Sequence, residues 1–316
     1  MNVLIFESGR ADGSPLSPVI RELKNRGSKT TSISLGDDIL GAKERFTTAF
    51  EVVYRGSAGG DILLLLGDRY ETLAAASAAT ICGLPIAHIH GGETTLGSFD
   101  NLNRNAITQL SQVHFTATIK SHRKVIDMMG GKNVYHTGAP GLDMIVDLPE
   151  RKPTKTFILT YHPETVGDDA SLFALLNILA KDYKDHEVVW TGCNHDPGAE
   201  RIGGIMYDAG YQEWKFSPRE YILACRQAAL VIGNSSSGII ECPSIGVPSV
   251  NVGVRQDGRE RGSSVFDCDS QTGSIKKAIN KALGYQGPFD NPYFYPESSK
   301  RIAEFIIETD LTSVYQ

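Results

Sequence analysis

Short, continuous apolar runs recur along the chain, and segments with helical spacing separate them. These runs predict β-strands at residues 3–6, 62–67, 85–90, 114–118, 157–162, 187–192, 230–235 and 248–253. Most runs are uninterrupted rather than alternating, which is typical of parallel strands that helices cover on both faces. Helical patterns occupy 72–80, 103–111, 171–183 and 218–228. The alternation predicts an α/β protein with doubly wound parallel sheets.

A polar segment with two prolines, DLPERKPTK at 147–155, interrupts this alternation. One α/β series precedes it and another comes after it, so we predict two Rossmann-like domains that face a cleft. The predicted boundaries are 1–147 for the first domain, 148–290 for the second, and 291–316 for a final helix that packs back on the first domain. The signals are weaker between residues 36 and 60.

Composition narrows the class of protein. With 316 residues, 41% of them hydrophobic, the chain can bury a sizeable core, and its net charge of −6 without a Lys/Arg cluster disfavours nucleic-acid binding. The five cysteines are scattered without a CxxC motif, which favours reduced thiols over disulfides or a zinc site. No signal peptide or membrane-spanning run is evident. We therefore expect a soluble cytoplasmic protein with no membrane or nucleic-acid partner.

Acidic residues come after two predicted strands of the first half. Ligands of open α/β sheets bind beyond the carboxyl ends of the strands. Asp68 comes directly after ILLLLG, Glu93 ends HIHGGE, and Asp100 lies in the loop beyond. Neighbouring carboxylates can divide acid and base roles near neutral pH, so we predict that these three are catalytic. Gly91 and Gly92 allow the backbone to turn tightly before Glu93.

Two histidines precede this turn. We interpret His88 and His90 as core residues on one face of the strand and leave them outside the catalytic set. A metal site built from His90, Glu93 and Asp68 is disfavoured, because their spacing matches no established ligand motif.

A strand-to-helix turn in the second half, GNSSSGIIE, is suited to phosphate. Ser235, Ser236 and Ser237 supply hydroxyls and free backbone N–H groups at a helix N-terminus. Glu241, one helical turn later, can accept both hydroxyls of a ribose. The structural alternative is an ordinary N-cap serine with a solvated glutamate after it.

Other strand endings add cationic and titratable groups. Arg10 and Ser14, in ESGRADGS, form a possible oxyanion cradle, with a simple capped turn as the alternative. His162, in YHPET, can protonate or hydrogen-bond a leaving group, or else cap the strand before Pro163. Arg255, in GVRQDGRERG, is the arginine of that loop nearest to a strand end.

Taken in order, the motifs resemble the hydrolysing UDP-N-acetylglucosamine 2-epimerases of the bacterial sialic-acid pathway. The resemblance runs from Arg10 to about residue 267 and rests on GDRYE, HIHGGE with Asp100 and Arg104 downstream, AIT.LS..HF, TGAPGLD, HPET, GNSSSGIIE.PS and GVRQ.GR.RG. The non-hydrolysing relatives carry an HVEAGLR-like sequence in place of HIHGGE. The resemblance implies the two-Rossmann-domain architecture of GT-B glycosyltransferases.

The resemblance also implies a reaction and a set of residues. UDP is eliminated from C1 as a base removes the C2 proton, and water then adds to the 2-acetamidoglucal to give free N-acetylmannosamine. Asp68, Glu93 and Asp100 would be the acid/base groups, and His162 would assist departure of the diphosphate. No cofactor and no metal takes part. The residues implied to bind UDP-N-acetylglucosamine, or the product UDP, are Arg10, Ser14, Arg69, Arg104, Asn194, Ser235, Ser236, Ser237, Glu241 and Arg255.

This chain departs from the family pattern in three places. The segment before GDRYE is shorter than usual, and Asp100–Asn101 and Arg104–Asn105 replace the usual acidic pair and Arg-His pair. These departures bear on sugar specificity and on the homodimer that the family implies. The alternatives are a non-hydrolysing epimerase, a 2-epimerase of a UDP-diacetamido sugar, a GT-B glycosyltransferase, and a nucleotide-sugar-binding protein without turnover.

Overall fold

A computed structural model describes residues 1–35, 41–164, 170–193 and 198–311, and at residues 10–12 the backbone alone. The chain forms two compact units. The first comprises Met1–Thr94, Asp100–Met144 and Tyr293–Gln316, and the second comprises Thr95–Phe99 and Ile145–Pro292. The short segment Thr95–Phe99 therefore packs with the second unit although its neighbours in sequence belong to the first.

The first unit contains a six-stranded parallel sheet in the order β2-β1-β3-β4-β5-β6. Its strands are β1 (Asn2–Glu7), β2 (Lys29–Ser34), β3 (Ile62–Leu66), β4 (Ile86–Ile89), β5 (Val113–Thr116) and β6 (Val134–His136). The interior strands β3, β4 and β5 are buried along their whole length, as their continuous apolar sequences predict. Edge strand β2, KTTSIS, is largely exposed.

The second unit contains a five-stranded parallel sheet in the order β11-β10-β9-β7-β8. Its strands are β7 (Thr156–Thr160), β8 (Glu187–Trp190), β9 (Leu230–Gly233), β10 (Ser249–Val252) and β11 (Val265–Cys268). Two parallel sheets with alternating helices confirm the predicted α/β class.

Helices alternate with the strands in both units. They are α1 (Arg10–Asn25), α2 (Ala42–Gly56), α3 (Tyr70–Ile81), α4 (Asp100–Leu110), α5 (Ile119–Met129), α6 (Ala170–Asp182), α7 (Ala199–Asp208), α8 (Pro218–Gln227), α9 (Ser237–Ser244), α10 (Thr272–Leu283) and α11 (Ser298–Glu308), with a 3₁₀ turn at Pro140–Met144. Among the described helices, none is long and apolar enough to cross a membrane.

Each sheet has a core on both faces. In the first unit, alternate residues of β1 and β3 enter separate clusters, one under α1 and α11 and the other under α2 and α3. The alanines of α3 are fully buried, because small side chains allow close packing on the sheet. Ile302 and Ile306 of α11 lie in the first of these clusters, so this helix packs on the sheet of the first unit.

The weakly patterned stretch between residues 36 and 60 contains α2. Its buried face carries Arg45, Ala49 and Val53, at the i, i+4, i+8 spacing of one helical face. The helix was obscure in the sequence because an arginine occupies the first of these core positions.

Candidate active site

The sheet of the first unit has a topological switch point between β1 and β3. The chain leaves β1 for β2 on one side and returns to β3 on the other, which opens a crevice at the carboxyl ends of these strands. Asp68 lies two residues beyond β3, and Glu93 lies four residues beyond the neighbouring β4. Two of the predicted catalytic carboxylates therefore lie just beyond adjacent strands.

Arg104, on α4, connects these two residues. Its Nη2 donates to Asp68 Oδ2, and its Nη1 donates to the backbone carbonyl of Glu93 at 3.0 Å. The Arg104 side chain is 1% exposed and that of Asp68 21%. Burial lowers the pKa of Arg104 to about 10, which leaves the guanidinium charged at neutral pH. A buried cation thus faces the Asp68 carboxylate.

The Glu93 carboxylate is also buried and lies against a histidine. His90 Nδ1 is 2.5 Å from Glu93 Oε1, and the Glu93 side chain is 3% exposed. Two positive φ angles produce the turn, 69° at His90 and 78° at Gly92. A Cβ on Gly92 would lie 2.4 Å from the Ser121 carbonyl oxygen of α5, so this position requires glycine.

His88 has a structural role, as the sequence suggests. Its Nε2 is 2.8 Å from the carbonyl oxygen of Gly67, which can only accept, so Nε2 carries the proton. Burial lowers the pKa of His88 to about 3. His88 therefore anchors the turn just before Asp68.

The interpretation of His90 as a residue of the same strand is wrong, because β4 ends at Ile89 and His90 turns toward Glu93.

A second ionic cluster lies at the start of α3. Arg45 Nε donates to Glu71 Oε1 at 2.6 Å, and Arg45 Nη2 donates to the Ser8 carbonyl at 2.5 Å. Arg69 donates to both carboxylate oxygens of Glu71, at 3.1 and 3.2 Å. Burial raises the pKa of Glu71, but the charge and hydrogen bonds of Arg69 and the hydrogen bond of Arg45 lower it by more. The predicted substrate-binding Arg69 is thus held by a buried carboxylate.

Lys124, on α5, adds another cation beside the turn. Its Nζ lies 3.4 Å from the Glu93 carbonyl and 3.2 Å from Thr94 Oγ1. Burial lowers the pKa of Lys124, and the charges of Arg104 and Lys120 lower it further.

The remaining predicted residues of the first unit lie on two helices, α1 and α4. Asp100 begins α4 one turn before Arg104, a spacing that puts both on one helical face. Arg10 begins α1, and its side chain lies outside the described residues. Ser14 Oγ is 3.5 Å from Met144 Sδ.

In the second unit the switch point lies between β7 and β9. His162 lies beyond β7, and Asn234 lies beyond β9. Asn234 Oδ1 accepts from the His162 backbone N–H at 2.7 Å, and Asn234 Nδ2 donates to the His162 carbonyl at 2.8 Å. One side chain, that of Asn234, therefore holds both the N–H and the carbonyl of His162, the residue predicted to assist departure of the leaving group.

The three serines after Asn234 have different roles. Ser235 Oγ accepts from the Ser237 N–H at 3.3 Å, and Ser237 Oγ accepts from the Tyr221 hydroxyl at 2.8 Å. Ser236 is the N-cap residue of α9, yet its side chain makes no capping hydrogen bond. Ser235 therefore makes the N-cap type of contact that the structural alternative describes, and Ser236 does not.

The other predicted ligands of this unit lie around the same edge. Arg255 Nη1 donates to the Asn234 carbonyl at 3.4 Å, and the half-buried Glu241 lies one turn along α9. Asn194 lies outside the described residues. Sequence reasoning missed Arg45, Glu71, Lys124 and Asn234, although GDRYE and GNSSSG, the motifs that contain Glu71 and Asn234, carried the signal.

Comparison with known proteins identifies a matching family and its relatives. A family model described as UDP-N-acetylglucosamine 2-epimerase matches residues 45–307. Polysialic acid biosynthesis protein P7 of Escherichia coli is 32% identical over 262 residues, which cover 74% of this chain and 66% of that protein. The UDP-N,N'-diacetylbacillosamine 2-epimerase (hydrolyzing) of Legionella pneumophila subsp. pneumophila is 32% identical over 290 residues, covering 83% and 72%. The chain thus spans about two thirds to three quarters of the length of these relatives.

A solved structure supports the fold. The UDP-GlcNAc 2-epimerase of Methanocaldococcus jannaschii, in complex with UDP-GlcNAc and UDP, superimposes with a TM-score of 0.80 over 98% of this chain and 100% of that one. The two sequences are 14% identical, so this likeness concerns the architecture alone.

Proposed function

The chain belongs to the UDP-N-acetylglucosamine 2-epimerase family, and from this premise we propose that it is a hydrolysing 2-epimerase, which releases free N-acetylmannosamine and UDP. The observation that carries the proposal is the position of Arg104, which donates both to the carboxylate of Asp68 and to the backbone of Glu93. An acid/base reaction needs carboxylates in one place, and a buried cation that pairs with one of them reduces their mutual repulsion.

The proposed reaction has two steps. In the first, a carboxylate removes the C2 proton, the C–H electron pair forms the C1=C2 double bond, and UDP leaves with the C1–O electron pair. In the second, a carboxylate takes a proton from water as the water oxygen bonds to C1, and a carboxylic acid gives C2 a proton on the face opposite to the one that lost the first proton. Asp68, Glu93 and Asp100 are the proposed acid/base groups, and each transfer by such a group contributes about 10²- to 10⁴-fold to a rate.

The second unit is proposed to bind the nucleotide. Ser235, Ser236 and Ser237 lie at the N-terminus of α9, where N–H groups and the helix dipole favour a phosphate. Arg255 would pair with the diphosphate, His162 would assist its departure, and Glu241 would accept the ribose hydroxyls. Asn194, Arg10 and Ser14 stay in the proposed set on the strength of the sequence.

The choice of the hydrolysing branch is supported by two observations. Residues 88–93 read HIHGGE rather than HVEAGLR, and the two residues that contact each other at this turn, His90 and Glu93, are among those that differ. In addition, the Legionella relative carries "hydrolyzing" in its name and covers 83% of this chain.

The same relative favours a second substrate. Its name specifies a UDP-N,N'-diacetylbacillosamine, so a UDP-diacetamido sugar is the second candidate for this chain. The two candidates differ at C4 of the sugar, where an acetamido group replaces a hydroxyl, and at C6, where a bacillosamine lacks the hydroxyl.

A proton NMR time course in deuterated water tests the proposal. With UDP-N-acetylglucosamine we expect free N-acetylmannosamine with deuterium at C2, together with UDP. UDP-N-acetylmannosamine as the product would instead assign the chain to the non-hydrolysing branch. Turnover of the diacetamido sugar alone would assign the second substrate, and UDP binding without turnover of either sugar would overturn the enzymatic proposal.

A further inference from the structure

The pairing of β7 with β9 ends at the carboxyl edge of the second sheet, where we propose that the nucleotide binds. The two strands pair from Phe157–Leu230 to Thr160–Gly233. A Cβ on Gly233 would lie 1.9 Å from the Thr160 carbonyl oxygen, so the strands are in close contact at their last pair. After Gly233 the chain turns into α9, and its backbone can no longer pair with residues beyond β7.

The carboxamide of Asn234 continues the pairing. Its oxygen accepts from the His162 N–H at 2.7 Å, and its nitrogen donates to the His162 carbonyl at 2.8 Å, both ordinary lengths for strong hydrogen bonds. A primary amide presents one acceptor and two donors, so it can replace a neighbouring peptide group. The side chain thereby fixes the main chain of His162 two residues beyond the strand.

The backbone of Asn234 makes further contacts at the same edge. Its N–H donates to the Thr160 carbonyl at 3.1 Å. Its carbonyl accepts from Gln256 Nε2 at 2.9 Å and from Arg255 Nη1 at 3.4 Å. Asn234 is fully buried and Gln256 is 2% exposed, so these bonds lie away from competing water.

From these contacts we propose that Asn234 is a positioning residue in the nucleoside diphosphate site. Its side chain fixes the position of the His162 main chain, and its carbonyl fixes the position of the Arg255 guanidinium. The inference rests on the proposed function, because it takes those two residues to be ligands of UDP. It extends that function to a buried residue that does not itself touch the ligand.

The isosteric change Asn234→Asp tests the inference. It keeps an acceptor for the His162 N–H but replaces the donor with a carboxylate that faces the His162 carbonyl. Loss of one buried hydrogen bond and the new repulsion should raise the UDP dissociation constant about 10- to 100-fold at pH 8, with a comparable fall in turnover. At pH 5.5 a buried carboxyl regains a proton and an O–H donor, so the ratio of variant to wild type should shrink to about threefold.

Asn280→Asp is the matched control. Asn280, on the exposed face of α10, accepts from the Tyr183 hydroxyl through Oδ1 at 2.8 Å, so this change adds the same charge and keeps the acceptor. Isothermal titration with UDP at both pH values, with thermal unfolding in parallel, is the measurement. The control should match the wild type at each pH.

Several outcomes would overturn the inference. One is folded Asn234→Asp protein that binds UDP and turns over within twofold of the wild type. A loss of UDP affinity that is equal at both pH values would show that Asn234 has only a structural role. The same loss in Asn280→Asp would show that the effect comes from net charge. Wild-type protein that does not bind UDP would remove the proposed function itself, which separates the two failures.

A second variant covers the case in which Asn234→Asp does not fold. Gln256→Met removes the donor to the Asn234 carbonyl and keeps similar volume, so we expect UDP affinity to fall about three- to tenfold with no change in its pH dependence. Unchanged affinity in this variant would then overturn the inference.

Discussion

At the carboxyl edge of the first sheet, the side chains that hold one another are charged, whereas at the edge of the second sheet they are mainly amides and hydroxyls. The first edge has Arg104 with Asp68, and Arg45 and Arg69 with Glu71. In the second, Asn234 holds His162, and Tyr221 donates to Ser237. The two sheets both have parallel strands and a switch point, but they differ in the side chains just beyond their strand ends.

This difference matches two kinds of chemistry. Proton transfer needs titratable groups, and these can be buried only when opposite charges or hydrogen bonds surround them. An anionic ligand needs donors without a competing carboxylate, which neutral amides and serines at a helix N-terminus supply. The comparison suggests that each edge can be disabled separately, the first through its charges and the second through its backbone geometry.

The largest expected effect comes from removing charge at the first edge. Asp68→Asn and Glu93→Gln should each lower turnover by about 10²-fold or more, because an amide cannot accept a proton at neutral pH. UDP affinity should stay within about threefold, since the proposed nucleotide residues lie in the second unit. Steady-state product release and calorimetry with UDP measure the two quantities. Normal turnover in either variant would refute the acid/base assignment.

Removing the Arg104 cation from the first edge should lower turnover nearly as much. Arg104→Met leaves the Asp68 carboxylate without its buried partner and should lower the free energy of unfolding by about 3 kcal/mol, with loss of turnover. Arg55→Met is the control, because the Arg55–Glu51 pair is exposed and worth at most about 0.5 kcal/mol. Denaturant unfolding of both variants is the measurement, and equal stability would show that the buried pair contributes little.

A backbone change should disturb the second edge. A Cβ on Gly97 would lie 2.1 Å from the Val254 carbonyl oxygen and 2.7 Å from Arg255 Cα, and backbone atoms there cannot move aside easily. Gly97→Ala should therefore destabilise the protein by about 1–3 kcal/mol and weaken UDP binding through Arg255. Gly204→Ala, in α7 with open space around it, should instead stabilise it by about 0.5–1 kcal/mol.

Thermal unfolding and UDP calorimetry of both alanine variants are the measurements. If Gly97→Ala unfolds at the wild-type temperature and binds UDP normally, the packing of Thr95–Phe99 on the loop after β10 has no role in the second edge. The pair of variants separates a steric effect from the general effect of glycine replacement.

The smallest effect concerns pH and the first unit alone. Burial lowers the pKa of His88 to about 3 and that of His114, its strand neighbour, to about 4. Both stay neutral in the folded protein while the unfolded chain takes up protons below about pH 6.5, so stability is full above that pH and falls as the pH drops toward 4. At pH 5.5 the loss should be about 1.4 kcal/mol for each histidine.

His88→Gln tests this dependence. The amide nitrogen can still donate to the Gly67 carbonyl but cannot be protonated, so the fall in unfolding free energy between pH 7 and 5.5 should be about 1.2 kcal/mol smaller than in the wild type. Urea titrations at the two pH values measure it. An unchanged pH dependence would mean that His88 does not contribute to it.

The strands that the sequence predicts and those that it misses differ in position. The interior strands β3, β4 and β9 read as continuous apolar runs because helices cover both of their faces. The missed strands β2, β6 and β11 are three of the four sheet edges, and their partly exposed residues weaken that signal. The fourth edge strand, β8, was predicted because its sequence EVVW keeps a short apolar run. Helix α2 was not predicted for a different reason, which is that the charged Arg45 occupies one of its core positions.

The candidate site shows a similar division. Strand endings indicated Asp68, Glu93, His162 and the three serines, because ligand-binding groups of this fold lie beyond the strands. The partners of those residues could not be predicted. Arg45 reaches Glu71 from a helix 26 positions away in sequence, and Asn234 reaches His162 across 72. Nothing local marks such pairs.

The sequence by itself determined the α/β class and the family, because apolar runs, helical spacing and motifs are local and survive in the order of residues. Only the tertiary structure decided how buried charges are neutralised and which backbone is held by which side chain. Burial makes an unpaired charge or amide costly, so each must find a partner, and the partner is chosen by proximity in space. Proximity in this fold paired Arg104 with Asp68 at the first edge and Asn234 with the main chain of His162 at the second.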